Sequence, residues 1–268
     1  MRFISGSKSV SDDQLIHYTQ RGSGEPLIIL HGLFGSGKNW QSLARVFAEH
    51  FEVYTLDLRN HGESFHHRDI DYELMVEDVH RLLRYLDIGR CTVIGHSMGG
   101  KTAMLLALQH SARVSKLVVV DIAPVPYPHD YDHLIDPILS LDLDRHENRS
   151  SIDRALQNDI PETPLRAFLM QNLARDGEQW RWKVNWNAIK RYIDKITGFP
   201  ELPQDWQVDT PTLFIRGEQS DYIGKSESNL IADHFNPVEI KTLANAGHWL
   251  HAEQPRAFAK LVLEFLLE

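Results

Sequence analysis

The sequence predicts an α/β fold: a mostly parallel central sheet flanked by helices, with a helical cap inserted between the two parts of the core. Three observations predict it. Short apolar runs bounded by turn residues alternate with longer amphipathic stretches, the order left by parallel strands joined through crossover helices. That alternation breaks between about Pro126 and Asp205, where helical signals continue without a convincing buried strand. It then resumes with two more strand-like runs and an amphipathic C-terminal segment. The core is therefore assigned to residues 1–125 and 206–268, and the cap to residues 126–205.

The expected strands are Pro26 to His31, Glu52 to Asp57, Cys91 to His96, Ser115 to Asp121, Pro211 to Arg216 and Val238 to Leu243. Residues near Phe3 and from Leu15 to Thr19 are expected to add an antiparallel hairpin at one edge. Met75, Val79, Leu82, Leu83 and Leu86 fall on one face of a helix, which should pack on the sheet. Phe258, Leu261, Val262 and Phe265 repeat the device in the last helix. Pro255 stands near its start, where a missing amide donor costs nothing. In the cap, one helix is expected from Thr163 and Pro164, and another from about Asn187 to Thr197, stopped at Gly198. Trp180, Trp182, Trp186 and Trp206 lie in or beside this region; they either pack its small core or line an apolar acyl pocket.

With 268 residues, 42% hydrophobic and 24% charged, the chain can bury a full core. A formal charge of -9 argues against a general affinity for nucleic acid or anionic lipid, both of which call for a cationic surface. A small-molecule substrate is the better expectation. The single cysteine, Cys91, excludes an internal disulfide and fits a reducing compartment. Met1 to Ser11 holds no basic segment followed by an apolar stretch, and no apolar run reaches the roughly 20 residues that span a bilayer. A cytoplasmic protein with no membrane insertion is expected. The fifteen histidines are scattered and form no His-Glu-x-x-His pattern.

The most informative segment is Gly95-His96-Ser97-Met98-Gly99-Gly100, which follows an apolar strand and opens a helical run. A serine at such a strand-turn-helix elbow occupies a strained backbone position, so the residues two before and two after must be small. Gly95 and Gly99 meet that demand. A serine hydroxyl also needs a base to take its proton and donors to hold the oxyanion that forms. The amide of Met98, at a helix start, is one expected donor. The other is that of Leu33, in His31-Gly32-Leu33-Phe34-Gly35 after another strand.

The expected base is His248, in the turn Asn245-Ala246-Gly247-His248-Trp249 before the last helix, where Gly247 would let the loop approach the nucleophile. His251 is its rival, but a helix-end or surface role is expected for it. The acid is left between Asp121 and Asp221, since both follow strands on the side of the sheet where sites form in such folds. Whichever serves must accept a hydrogen bond from the second imidazole nitrogen.

These segments resemble the α/β-hydrolase superfamily over nearly the whole chain. Asp57-Leu58-Arg59-Asn60-His61-Gly62-Glu63-Ser64 is similar to its Asp-x-Arg-Gly-His-Gly-x-Ser stretch, with Asn60 in place of one glycine. More narrowly, the serine elbow through Lys101, Asp121-Ile122-Ala123-Pro124-Val125 and Asn245 to Trp249 look like the YbfF-type esterases and their abhydrolase-domain relatives. In many superfamily members the acid stands three residues after the strand-ending glycine, a place held here by Ser220. The narrower resemblance implies that the acid has moved to Asp121. It also implies esterase activity, with thioesterase activity on acyl-CoA as an extension, and no metal or organic cofactor.

Two rival readings use the same residues. Gly32 to Lys38 matches most of a phosphate-binding loop, but the position after Lys38 is Asn39 where a magnesium-holding hydroxyl is needed. Carbon–carbon bond hydrolysis, lyase chemistry or ligand binding by a silent triad would keep the fold and the motifs. In the cap, Arg181, Lys183, Lys190 and Arg191 form a basic patch that would either meet the phosphates of an acyl-CoA or form a solvated face.

Overall fold

The computed structural model describes residues 14–127, 129–203 and 206–268. The core strands are β1 (Tyr18–Gly22), β2 (Glu25–Leu30), β3 (Phe51–Leu56), β4 (Cys91–His96) and β5 (Val114–Val120). After the cap come β8 (Thr212–Gly217) and β9 (Val238–Leu243). They form one sheet in the order β1-β3-β2-β4-β5-β8-β9, with β1 antiparallel to β3 and every other pairing parallel. Each of the six expected strands is present, shifted by at most one residue. The expected edge element is β1, which begins later than anticipated and pairs with β3 rather than in a hairpin. Phe3 lies outside the described residues.

Side-chain alternation decides which face of the sheet each apolar residue serves. Ile28, Leu30, Val93, Leu117, Val119 and Phe214 face one core, with α2 (Tyr72–Tyr85) and α3 (Met98–Gln109) packed over them. Their neighbours Leu27, Ile29, Ile94, Val118, Leu213 and Ile215 face the other, beneath α1 (Gln41–Phe47) and α11 (Pro255–Leu267). Because both faces are covered, the central strands read as continuous apolar runs. Helix α2 buries Met75, Val79, Leu82 and Leu83 as the periodicity predicts. Asp71 caps its start by accepting the Leu74 amide at 2.9 Å.

Between β5 and β8 the cap contains α4 (Asp132–Ser140), α5 (Arg149–Leu156), α6 (Thr163–Met170), α7 (Trp186–Arg191) and α8 (Ile193–Thr197). It also contains a short antiparallel pair, β6 (Leu173–Asp176) and β7 (Gln179–Trp182). The sequence showed no strand there because only Leu173 of these eight residues is buried, so no apolar alternation marks the pair. The helix expected over Asn187 to Thr197 breaks at Tyr192, whose hydroxyl leaves the cap to bond Asp69 at 2.7 Å. The remaining helices are α9 (Lys225–His234), between β8 and β9, and the single turn α10 (Leu250–Glu253). Among the described residues, no helix is long and apolar enough to cross a membrane.

Candidate active site

Ser97 sits between β4 and α3 with φ 51° and ψ -116°, a conformation that L-residues rarely adopt. The neighbouring glycines make this possible. A Cβ at Gly95 would lie 2.2 Å from the Gly99 carbonyl oxygen, and one at Gly99 would lie 2.5 Å from those of Leu30 and His31. The turn thus brings Ser97 beside the segment that follows β2: a Cβ at Gly32 would stand 3.4 Å from the Cβ of Ser97.

That segment is held from both sides by neutral histidines. His31 Nδ1 donates to the Gly32 carbonyl at 2.8 Å, while its Nε2 accepts the Leu58 amide at 3.0 Å. His61 Nδ1 donates to the Arg59 carbonyl at 2.9 Å, and its Nε2 accepts the Phe34 amide at 3.2 Å. Such a donor–acceptor pair uses both nitrogens of an uncharged ring. Burial reinforces it by pushing His31 below its usual range and His61 down to about 3. From the cap, Asn172 donates to the Phe34 carbonyl at 2.7 Å. The Leu33 amide is therefore bracketed by fixed peptide groups. The amide of Met98, first residue of α3, has no carbonyl one turn back to accept it.

The Asp57 to Ser64 stretch builds the scaffold behind this loop. Asp57 accepts the amides of Gly37 at 2.7 Å and Glu63 at 2.8 Å, and Ser64 donates to the Asp57 carbonyl at 2.5 Å. Asn60, the departure from glycine, has φ 64°, a left-handed conformation that asparagine tolerates better than most side chains. Its Oδ1 accepts from the His67 amide at 2.7 Å and from Asn185 of the cap at 3.0 Å. The glycine-rich stretch that resembled a phosphate loop is the segment this scaffold holds, through the Gly37 amide on Asp57 and the Phe34 amide on His61.

His248 follows β9 and borders the same cavity as Ser97. Its Nδ1 lies 2.8 Å from Oδ2 of Asp121, which is fully buried. Asp121 also accepts the Gly217 amide at 2.9 Å and a short hydrogen bond from the Ser220 hydroxyl, so its oxygens are satisfied away from water. Asp221 is exposed and is not among these partners. Ser220, in the place where many superfamily members carry the acid, instead supports a carboxylate that comes from β5. Tyr222 stacks on His248 at 4.1 Å and an interplanar angle of 17°.

Two sequence expectations need correction. His251 is not a surface residue: it is buried, stacked on Trp40 at 4.3 Å, and its ring centre is 4.5 Å from that of His96. Burial and the nearby His248 push it down to about 3, and its Nδ1 has no partner among the described residues. Gly247 is not the glycine that permits the close approach of the loop carrying His248. A Cβ there would meet only Glu253, at 3.4 Å, whereas one at Gly217 would lie 2.3 Å from the Gly247 carbonyl oxygen. Of the two readings of the cap tryptophans, the packing one is favoured, since none of the four is among the residues lining the cavity. Trp186 is buried against Phe34 at 5.0 Å and Trp182 at 5.9 Å.

The cavity has a volume of about 340 Å³, and cap residues Leu134, Leu165 and Phe168 face His248 and Trp249 across it. None of the four basic cap residues borders it. Lys183 and Arg181 pair with Glu63, and Lys190 pairs with Asp136, which favours the solvated-face reading of that patch. Sequence reasoning missed His96 as well. Its Nε2 donates to the His248 carbonyl at 2.9 Å, tying the residue before Ser97 to the loop that carries His248. Its place next to Ser97 was the only available signal, and it said nothing about the partner.

Comparison with known proteins agrees with this architecture. The α/β-hydrolase fold family matches residues 25–255. The chain is 39% identical over 249 residues to the sn-1-specific diacylglycerol lipase ABHD11 of Mus musculus, covering 90% of this chain and 80% of that relative. It is 33% identical over 242 residues to the esterase YbfF of Escherichia coli (strain K12), covering 90% and 92% of the two chains. Among solved structures, a marine microorganism esterase matches with a TM-score of 0.91 at 40% identity, over 94% of this chain and 100% of that one.

Proposed function

We propose that this chain, which belongs to the α/β-hydrolase fold family, cleaves a carboxylic ester or acyl thioester through an acyl-enzyme on Ser97, with His248 as base and Asp121 as acid. The relatives named as esterases and lipases support a hydrolase of the ester-cleaving kind. The observation that carries the finer reading is the 2.8 Å contact between His248 Nδ1 and a buried Asp121, in a loop bordering the same cavity as a strained Ser97. With Nδ1–H donated to the carboxylate, Nε2 is the nitrogen free to accept a proton.

In the first step Ser97 Oγ bonds to the acyl carbon while its proton passes to His248 Nε2. The imidazolium that results is stabilised by Asp121. The carbonyl electron pair moves to oxygen, where the amides of Leu33 and Met98 donate to it. Collapse of this intermediate breaks the bond to the leaving oxygen or sulfur, which takes the proton from His248. Water then attacks the acyl-enzyme by the same route, gives its proton to His248 and releases the acid, and Ser97 recovers its proton. Every step is carried by groups of this chain, so no metal or organic cofactor enters.

The direct test is labelling by a fluorophosphonate together with ester hydrolysis. The wild-type protein should be labelled at Ser97 and should turn over aryl esters. Ser97→Ala should lose both the adduct and nearly all turnover. Retention of wild-type rates in Ser97→Ala would end this reading.

A further inference from the structure

We propose that two unequal chambers meeting at Ser97 make this protein selective for short acyl groups carried on bulky apolar alcohols. The proposal rests on the serine-esterase reading above and names its substrate class. The larger chamber is the cavity of about 340 Å³ beneath the cap. The smaller has a volume of only about 30 Å³ and extends from Ser97 toward Met98, Lys101, Ile122, Tyr72 and Ile196. Ser97 and Leu33 border both. His248 borders only the larger, and Met98 only the smaller.

This division orients the substrate. The leaving oxygen must take its proton from His248, so the alcohol points into the chamber that His248 borders. The oxyanion is directed to the amides of Leu33 and Met98. The remaining substituent on the acyl carbon, its chain, is left with the smaller chamber. A space of about 30 Å³ holds about two water-sized groups, enough for the methyl of an acetyl or the ethyl of a propionyl.

The end of the small chamber is built to resist widening. Ile122, Ile196 and Tyr72 are all buried. Lys101, itself 2% exposed, reaches from α3 to the C-terminus of α8 and donates to the carbonyls of Thr197 at 2.9 Å and Gly198 at 2.6 Å. The Tyr72 hydroxyl makes a short bond to the Ile196 carbonyl, and Tyr127 makes another to that of Tyr222. A longer chain would have to break these bonds, of which that of Tyr72 is fully buried, and leave their polar groups unpaired. The larger chamber has a mainly apolar lining, with Leu134, Leu165 and Phe168 supplied by the cap, so added carbon on the alcohol finds space and contacts.

The test uses the full chain and two substrate series: 1-naphthyl esters from acetate to octanoate, and acetates of alcohols from ethanol to octanol. The expected kcat/KM falls roughly 10-fold or more between propionate and hexanoate, and rises by a similar factor from ethyl to octyl acetate. Ile196→Ala and Ile122→Ala, on the cap and the core side, should each move the preferred acyl length up by one or two carbons. A wild-type profile favouring octanoate over acetate, or unchanged profiles in both folded variants, would overturn the proposal. Failure of the underlying reading would look different: no ester of either series cleaved, and no labelling at Ser97.

Discussion

The two loops that face Ser97 both carry histidines, and the partners of each ring separate support from chemistry. In the loop after β2, His31 and the neighbouring His61 each donate to a peptide carbonyl and accept a peptide amide, which leaves them neutral and fixed. In the loop after β9, His248 donates to a buried carboxylate instead, and the residue borders the cavity it shares with Ser97. Burial outweighs the nearby Asp57 at His31 and keeps the rings of His31 and His61 uncharged, whereas His248 has a carboxylate as its direct hydrogen-bond partner. Residue type alone does not distinguish the two cases. The partners do.

The comparison is broken most directly at the carboxylate. Asp121→Asn should lower kcat by up to about 10⁴-fold, because an amide NH₂ in place of an acceptor turns the imidazole to the wrong tautomer. Asp221→Asn, which removes an exposed charge, should stay within about 2-fold of wild type, in keeping with a surface substitution. Steady-state kinetics on an aryl acetate decides between them, and the reverse ranking would transfer the acid to Asp221.

A smaller effect is expected on the supporting side. His61→Ala removes the acceptor of the Phe34 amide and loosens the peptide next to the one that carries the Leu33 N–H. Loss of one oxyanion donor costs roughly 100- to 1000-fold in kcat, so misplacing it should cost less, about 10- to 100-fold, with KM little changed. A rise in KM with unchanged kcat would mean that His61 serves substrate binding rather than the oxyanion.

The smallest effect is on stability and concerns the histidines held neutral. His61 and His251 are both pushed down to about 3, so between pH 6.5 and 3 the unfolded chain binds protons that the folded chain does not. Stability must therefore fall as pH drops below 6.5, by up to about 1.4 kcal/mol per unit for each ring. His251→Phe keeps an aromatic ring on Trp40 and forfeits no hydrogen bond at Nδ1, which has no partner among the described residues. Urea midpoints measured from pH 7.5 to 5 should fall less steeply in His251→Phe than in wild type. Parallel slopes would show that His251 does not contribute to the acid sensitivity.

The sequence displayed much of this molecule because its signals are local. Parallel strands covered on both faces are largely apolar, so β2 to β5 and β8 stood out by their short apolar runs. The serine elbow announces itself through two glycines that no side chain could replace: each faces a backbone oxygen at 2.5 Å or less from where its Cβ would be. The β6–β7 pair was invisible for the opposite reason, since its mostly exposed residues carry no burial pattern. The sequence placed His251 at a helix end but not in the interior, because its surroundings, Trp40 and His96, come from elements far away in the chain.

What the sequence by itself determined is the order of strands and helices and the glycines that flank Ser97, all written in runs and spacings of neighbouring residues. Only the tertiary structure decided which aspartate meets His248, which histidines are struts, and how the space around Ser97 divides. Those outcomes depend on contacts between residues far apart in sequence: the Asp121–His248 bond spans 127 positions and the His96–His248 bond 152. A carboxylate's partner is set by distance in space, and distance along the chain carries no record of it until the sheet has brought β4, β5 and β9 into place.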